Sequence, residues 1–260
     1  MPENSDNSDN KDSVTQKDPA TRVLSLVSHK LKTPLSIING YTEAVLTQIK
    51  PGELSDFVSK ALIDINKQGE KLAILVDKLV RFSSVSNLIK KDVKKDTVKI
   101  RPVFSSVSNK CVMRDDSLNV LSSDKTIRFQ GPVVEIKCDS DVEIHADKVL
   151  VSIAVEELMD NSIKFNNNSN KKIRMFYYHE DDKDVLAVAD NGVGIKEEHI
   201  SKIFDKFYQV DDFFTGQIEG WGLGLALVKR IMALHEGTIS VRSQYGIGTI
   251  ISLRFPRKQA

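Results

Sequence analysis

Two long stretches near the start of the chain repeat apolar residues at alternating steps of three and four. The first stretch has them at Leu24, Val27, Leu31, Pro34, Ile38, Tyr41 and Val45. The second has them at Leu54, Val58, Ala61, Ile65, Leu72, Leu75, Leu79 and Phe82, with the polar Gln68 in the same series. A sustained period of about 3.5 residues is typical of helices that bury a stripe against other helices.

The segment between the two stretches, QIKPGELS, contains a Pro-Gly break and therefore predicts an antiparallel helical hairpin. Two helices alone form a thin core, so we expect two copies of the chain to pair as a four-helix bundle. The alternative is a hairpin that packs against the rest of its own chain.

Beyond the hairpin the pattern becomes a mixture of short strands and helices. We predict strands at TVKIRPVF, VEIHA, KIRMFYYHE and DVLAVAD, and a closing hairpin at TISVRSQYGIGTIISLRF. We predict helices at DKVLVSIAVEELMDNSIKFN and GLGLALVKRIMALHEG. Elements in this order predict an α+β sandwich in which helices cover one face of a mixed sheet.

These changes of pattern divide the chain into four parts. Residues 1–18 are rich in Asn, Asp and Ser and are predicted to form a disordered polar tail. The helical hairpin occupies residues 19–88, and a polar, Lys-rich linker follows at residues 89–98. The α+β domain is predicted to occupy residues 99–260.

Composition and charge narrow the class of protein. The 260 residues carry a formal net charge of +1, which offers no electrostatic argument for nucleic acid as a partner. No apolar run approaches the roughly 20 residues that a membrane span needs, and the polar start lacks a signal peptide. Cys111 and Cys138 match no metal-binding spacing. We therefore expect a cytoplasmic protein or the cytoplasmic part of a longer membrane receptor.

Three groups of residues could carry chemistry, and the first is on a predicted helix. Glu157, Asn161 and Lys164 are spaced so that they share one helix face. They would offer a base, an oxygen for a hard cation and a charge for phosphates. A solvated helix face is the alternative interpretation.

The second and third groups are rich in glycine. Asp190 ends a buried strand and leads into Gly192 and Gly194, so its carboxylate could accept a hydrogen bond from an exocyclic amine while the glycines admit a planar ligand. An ordinary Asp-Asn-Gly turn is the alternative. Gly220, which begins the run GWGLG, leads into a helix whose free N–H groups would bind an anion.

Together, in this order, the motifs resemble a known family. SHKLKTP, ELMDNSIKF, DNGVGI, IFDKFYQ and GWGLGLALVKRIMALHEGTISVRSQYGIGT are similar to the H, N, G1, F and G2 boxes of sensor histidine kinases. The resemblance covers roughly residues 20–256. It implies a dimeric phosphoacceptor hairpin followed by an ATPase domain of the Bergerat fold, which is shared with DNA gyrase and mismatch-repair ATPases.

The resemblance also implies a role for each matching residue in binding ATP and Mg²⁺. Asn161 would hold Mg²⁺, Lys164 would face the phosphates and Phe165 would lie near the nucleotide. Asp190 would contact the adenine amine, with help from Thr249, and Gly192 and Gly194 would make room for the base. The residues expected at the lid are Phe204 and Phe207 at its base and Gly220, Gly222, Leu223 and Gly224 in its hinge and phosphate loop. Glu157 matches the water-activating residue of the gyrase-type relatives.

The same resemblance implies that His29 accepts the phosphoryl group and passes it to an aspartate on the receiver domain of a response regulator. His29 falls between Val27 and Leu31 of the first stripe, on the outward face of the predicted bundle. Thr33, one helical turn later, would orient water when the regulator is dephosphorylated.

Two departures from the family pattern leave a second interpretation open. Lys30 follows the histidine where the family usually has an acidic residue. The lid, VDDFFTGQIEG, contains no basic residue, although many relatives carry Arg or Lys there. The alternative to a histidine kinase is therefore a dimeric ATP-binding scaffold or phosphatase with little kinase activity.

Overall fold

The computed structural model describes residues 19–48, 56–112, 133–210 and 222–257. The predicted tail, residues 1–18, lies outside the described residues. The chain divides into two compact units, Met1–Val76 and Asp77–Ala260. This division falls inside the second long helix, whereas the sequence places the end of the hairpin at residue 88. The four predicted domain ranges stay predictions.

The first unit contains helix α1, Pro19–Gln48, and most of helix α2, Asp56–Ser86. The two predicted long helices are therefore confirmed. Leu35, Thr42, Gly69 and Val76 are buried, and the hydroxyl oxygen of Thr42 lies 3.0 Å from Oδ1 of Asn66 on the opposite helix.

The predicted apolar stripe of the hairpin remains largely exposed within one chain. Its described members with exposed side chains are 37–73% accessible; they are Leu31, Ile38, Tyr41, Val45, Val58, Ile65 and Leu72. Leu35, Ile38, Ile65 and Leu72 line a shallow apolar groove. The four-helix bundle thus remains an inference from an apolar face that the described residues of one chain leave exposed.

The second unit is built on a five-stranded mixed sheet. Its strands are β2 (Val133–Lys137), β4 (Lys172–Glu180), β5 (Lys183–Asp190), β6 (Thr238–Gln244) and β7 (Gly248–Pro256), in the order β2-β4-β5-β7-β6. β2 runs parallel to β4, and every other pairing in this sheet is antiparallel. A separate antiparallel pair joins β1 (Asp96–Lys99) to β3 (Glu143–Ala146).

Three helices pack against this sheet and enclose the core. They are α3 (Ile100–Val112), α4 (Lys148–Lys164) and α6 (Gly224–Leu234). Met159, Leu186, Leu253 and Phe255 are almost fully buried in one apolar cluster with the helices. The predicted helical region followed by an α+β sandwich is therefore confirmed.

Helix α4 begins at Lys148 because Asp147 caps it. The Asp147 carboxylate accepts hydrogen bonds from the backbone N–H groups of Val149 and Leu150, at 2.9 and 3.2 Å. The backbone N–H of Asp147 donates to Nε2 of the buried His235 at 3.0 Å. The start of α4 is thereby attached to the end of α6.

Some elements differ from the prediction. Only the first part of TVKIRPVF is a strand, because α3 begins at Ile100. Pro102 fits there because the first turn of a helix leaves its N–H groups without intrahelical acceptors. The edge strand β2, the 3₁₀ turn at Lys90–Asp92 and the short helix α5 (Glu197–Ile200) are not in the prediction. No helix in the described part of the chain is long and apolar enough to cross a bilayer.

Candidate functional site

A pocket opens where α4, the end of β5 and the start of α6 meet. Most of the predicted binding residues line it; they are Glu157, Asn161, Lys164, Phe165, Asp190, Gly194, Gly222, Leu223, Gly224 and Thr249. Its apolar wall includes Leu158, Val188, Val193, Ile203 and Ile251. An apolar slot with a few polar groups is the usual form of a small-molecule site.

Asp190 lies at one end of the pocket with both carboxylate oxygens engaged. The backbone N–H of Gly192 donates to Oδ1 at 2.9 Å, and the hydroxyl of Ser162 donates to Oδ2 at 3.1 Å. Burial raises the pKa of Asp190 above its ordinary value, although these hydrogen bonds act in the opposite direction. Each carboxylate oxygen has a second lone pair, so the group can accept a further hydrogen bond from a ligand.

The loop after Asp190 is held against neighbouring backbone. The N–H of Val193 donates to the carbonyl of Phe165 at 3.0 Å, which connects the loop to the end of α4. Gly194 has a φ of 68°, and a Cβ there would collide with the carbonyl of Gln244. Only glycine fits this position without strain. Thr249 is paired with Asp190 across β5 and β7, and its hydroxyl lies 2.8 Å from that of Ser243.

The opposite end of the pocket is formed by the N-terminus of α6. Leu223, which precedes the helix, makes no side-chain cap, so within the described part of the chain the first N–H groups of α6 are available to an anion. The N–H of Phe207 donates to the carbonyl of Gly222 at 2.9 Å. That hydrogen bond joins the two chain segments that flank residues 211–221.

Glu157 is buried beside this helix N-terminus, with 3% of its surface exposed. A Cβ on Gly224 would lie 2.6 Å from its Oε2 oxygen, so glycine at this position leaves room for the carboxylate. Burial raises the pKa of Glu157, an effect that the charges of Lys78 and Arg81 oppose. Its placement suits a group that orients water or a proton beside bound phosphates.

Asn161 offers an oxygen to a divalent cation between these two ends. Among the described residues, no group of three or more His, Cys, Asp or Glu side chains could hold a metal ion. Mg²⁺ commonly takes only one or two protein oxygens and fills its remaining positions with phosphates and water. Asn161, with Asp160 also in the pocket wall, fits an ion of that kind. Lys164 stands with its Nζ 4.5 Å from the centre of the Phe165 ring.

Other predicted residues do not line the pocket or cannot be placed. Gly192 donates its N–H to Asp190, and the side chain of Phe207 is 65% exposed, so its backbone rather than its ring makes the contact with Gly222. Gly220 and most of the predicted lid lie outside the described residues. His29 and Thr33 belong to α1, and their side chains are likewise outside the described part of the structure.

The structure adds residues to the site that were not among those predicted from the sequence. Lys78 of α2 lines the pocket and lies 3.6 Å from Oε2 of Glu157. Ser162 binds Asp190, and His199 lies 2.7 Å from the hydroxyl of Tyr208 in the pocket wall. Ser162 directly follows Asn161 in the motif, so the sequence does carry a signal for it. Lys78 is distant in sequence and carries no local signal.

Comparison with protein families identifies both parts of the chain. Residues 20–87 match the family model of the His Kinase A (phospho-acceptor) domain. Residues 146–259 match that of the histidine kinase-, DNA gyrase B-, and HSP90-like ATPases. The two models together match more than half of the chain, which belongs to the sensor histidine kinases of two-component systems.

Individual relatives agree with this assignment. Sensor protein RprX of Bacteroides fragilis is 28% identical over 231 residues, covering 88% of this chain and 42% of that protein. Sensor protein SrrB of Staphylococcus aureus is 28% identical over 235 residues, covering 90% of this chain and 37% of that protein. The chain thus spans about two fifths of the length of these relatives.

Solved structures share the fold. Full-length ShkA in complex with AMPPNP superposes with a TM-score of 0.65 at 21% identity, covering 92% of this chain and 46% of that one. The histidine kinase AdeS of Acinetobacter baumannii has a TM-score of 0.55 at 21% identity, covering 89% of this chain and 98% of that one.

Replacing the half-buried carboxylate of Asp190 should stabilise the fold. The folded pKa of Asp190 lies above the ordinary value of 3.8, so stability falls as pH rises through that window and stays lower above it. Asp190→Asn removes the ionised form and should raise the thermal unfolding midpoint at pH 8. The gain should shrink as the pH approaches 4, as measured by circular dichroism melts.

Asp184→Asn is the matched control, because this buried aspartate lies on the same strand and has a cationic partner. Its Oδ1 is 3.4 Å from Nε of Arg257 and accepts a hydrogen bond from the hydroxyl of Tyr177. Asp184→Asn should therefore lower the midpoint at pH 8. A lower midpoint for Asp190→Asn as well would show that its hydrogen bonds outweigh the cost of burying its charge.

Proposed function

We propose that this chain is an ATP-dependent protein histidine kinase that phosphorylates itself on His29. The observation that carries the proposal is a single pocket with Asp190 at one end, Glu157 beside the N-terminus of α6 at the other, and Asn161 in its wall. An amine acceptor at one end and an anion site at the other suit a nucleotide with a polyphosphate chain. ATP is the nucleotide that histidine kinase activity requires.

Each wall of the pocket has a part in holding this substrate. Asp190 accepts a hydrogen bond from the adenine amine, with Thr249 acting through water, and Gly192 and Gly194 leave space for the base. Lys164 and the N-terminal amides of α6, after Gly222 and Leu223, bind the phosphates. Asn161 would hold Mg²⁺, which neutralises charge on the phosphates when bound.

His29 is the acceptor because the matched phosphoacceptor region, residues 20–87, contains no other histidine. A neutral imidazole nitrogen attacks the terminal phosphorus in line, and the bond from that phosphorus to the bridging oxygen of ADP breaks. The imidazole proton must then leave. Lys30 cannot accept it while charged, so the proton goes to water or to another group such as Glu157.

Further steps follow from the family. The phosphoryl group passes from His29 to an aspartate on the receiver domain of a response regulator, and Thr33 orients water for the phosphatase reaction, in which water attacks that aspartyl phosphate and phosphate leaves. The cytoplasm, where ATP is available, is the compartment that this reaction needs. Lys30 is the observation that favours a second candidate, a dimeric ATP-binding scaffold or phosphatase with weak kinase activity.

Labelling with γ-³²P-ATP and Mg²⁺ tests this function, with His29→Ala as the control. We expect an acid-labile, base-stable label on the wild-type protein and none on the variant. Nucleotide binding without any label would support the scaffold instead. Released phosphate without labelled protein, unchanged in the variant, would indicate a simple ATP hydrolase.

Lys30→Glu should raise the rate of autophosphorylation. The substitution removes a positive charge that disfavours the imidazolium and supplies a carboxylate that can accept the proton. We expect a gain of about tenfold, below the roughly 10²–10⁴-fold that a well-placed general base supplies. Single-turnover labelling measures the rate. Lys32→Glu makes the same change in net charge two residues away, and an equal gain there would reduce the effect to charge alone.

Homodimerisation through residues 19–88 is part of the proposal, and the exposed apolar groove of the hairpin supports it. Ile65 lines this groove with 47% of its surface exposed, whereas Ile63 has 42% exposed and lies outside the groove. Ile65→Glu should weaken the dimer at least about tenfold, because it would bury a charge in the interface. Ile63→Glu should leave the dimer intact.

Sedimentation equilibrium of both isoleucine variants over a range of concentrations gives the dissociation constants. A dimer that survives Ile65→Glu, or that both variants weaken equally, would show that the groove is not the interface.

A further inference from the structure

Two neighbouring glutamates of α4 are buried together, and each has its own lysine. Glu156 and Glu157 are 5% and 3% exposed. Lys110 of α3 lies 2.8 Å from Glu156, and Lys78 of α2 lies 3.6 Å from Glu157. Arg81 of α2 serves both carboxylates, at 3.3 and 3.7 Å. The buried acidic pair is therefore matched by three cations from two other helices.

Lys78 differs from the other two cations because it also lines the nucleotide pocket. One third of its side chain is exposed, and its ammonium approaches Oε2 of Glu157, the oxygen that lies beside Gly224. Gly224 is the first residue of α6, and Leu223 before it makes no side-chain cap to the first N–H groups of that helix. The ammonium of Lys78 thus stands at the phosphate end of the pocket.

Among the residues that the structure describes, that end of the pocket has few other sources of positive charge. No lysine or arginine occurs in the sequence from Phe207 to Val228, which includes the predicted lid. Among the described lining residues, Lys196 sits over the ring of Tyr245, next to the loop that Gly194 forms. Lys164, another lining lysine, stands over the Phe165 ring, next to the loop that follows Asp190, which leaves Lys78 as the lining lysine with a contact beside the N-terminus of α6.

We propose that Lys78 of helix α2 contacts the terminal phosphate of bound ATP and shares its charge between that phosphate and Glu157. This inference rests on the proposed function, because it concerns the same nucleotide. A flexible ammonium can turn from a carboxylate to a phosphate oxygen with little rearrangement. Lys78 thereby supplies the positive charge that the lid sequence lacks, and the site prefers a triphosphate to a diphosphate.

The preference for ATP over ADP tests this inference, since a purely structural residue would change both affinities alike. Dissociation constants for ATP and ADP with Mg²⁺ are measured on the full chain by isothermal titration calorimetry. Lys78→Met should reduce the ratio of ADP to ATP dissociation constants about tenfold, the effect expected of one charge-assisted contact. Lys78→Arg should preserve the ratio, because it keeps the charge.

Lys110→Met is the matched control, because it removes the corresponding cation from Glu156 and should leave the ratio unchanged. A second comparison guards against misfolding: the double variant Lys78→Met/Glu157→Gln is compared with the single variant Glu157→Gln. The double variant leaves no buried charge at position 157 that has lost its lysine. The ratio should fall in this background too.

An unchanged ratio in Lys78→Met, with ATP still bound, would overturn the inference and leave the proposed function standing. The inference would also be overturned if Lys78→Met lowered the ratio in the wild-type chain but not in the Glu157→Gln variant, because Lys78 would then act through Glu157 alone. A wild-type chain that binds no ATP would overturn both.

Discussion

The pairing of strand β5 on both of its edges is the constraint on which the pocket depends. Hydrogen bonds to β4 on one side and β7 on the other hold residues Lys183–Asp190 in register. A slip by one residue would break two ladders and turn the buried side chains to the opposite face. Asp190 therefore ends the strand at a fixed height, opposite Ile173 and Thr249. This register therefore also fixes the position at which the following loop begins.

The pocket also lowers the stability of the fold, because it places two carboxylates where water reaches them poorly. Asp190 and Glu157 are both drawn into poorly solvated positions, and burial raises the pKa of each. Hydrogen bonds and nearby cations offset only part of that desolvation. Burial of the apolar cluster under α4 and α6 must therefore compensate for the remaining free-energy cost of desolvation. A chain selected only for stability would not place two ionisable groups there, so their presence indicates selection for what the pocket binds.

Local pattern predicted the parts of this protein that depend on local period. The shared face of Glu157, Asn161 and Lys164 follows from helical spacing, and all three side chains do line one pocket. The predicted strand was wrong from Ile100 onward, where α3 begins. The alternation of Val98 and Ile100 is that of a strand, whereas the buried positions Val103, Phe104 and Val107 have helical spacing. The contact of Lys78 with Glu157 depends on packing between distant segments, which no local period encodes.

Helix α2 bears both Lys78 and part of the exposed face of the hairpin. The helix runs unbroken from Asp56 to Ser86, so the element that bears Ile65 of the exposed groove also bears Lys78. Each residue advances a helix by about 1.5 Å and turns it by about 100°. The Lys78–Glu157 pair is 3.6 Å long, close to the limit for an ion pair, so a shift of one residue's rise along the axis would separate it. A helix that moved by this amount would separate Lys78 from Glu157 without disturbing Asp190, which is held by the sheet. Asp190 and Lys78 are therefore positioned by two different elements, strand β5 and helix α2, and only the second belongs to the helical hairpin.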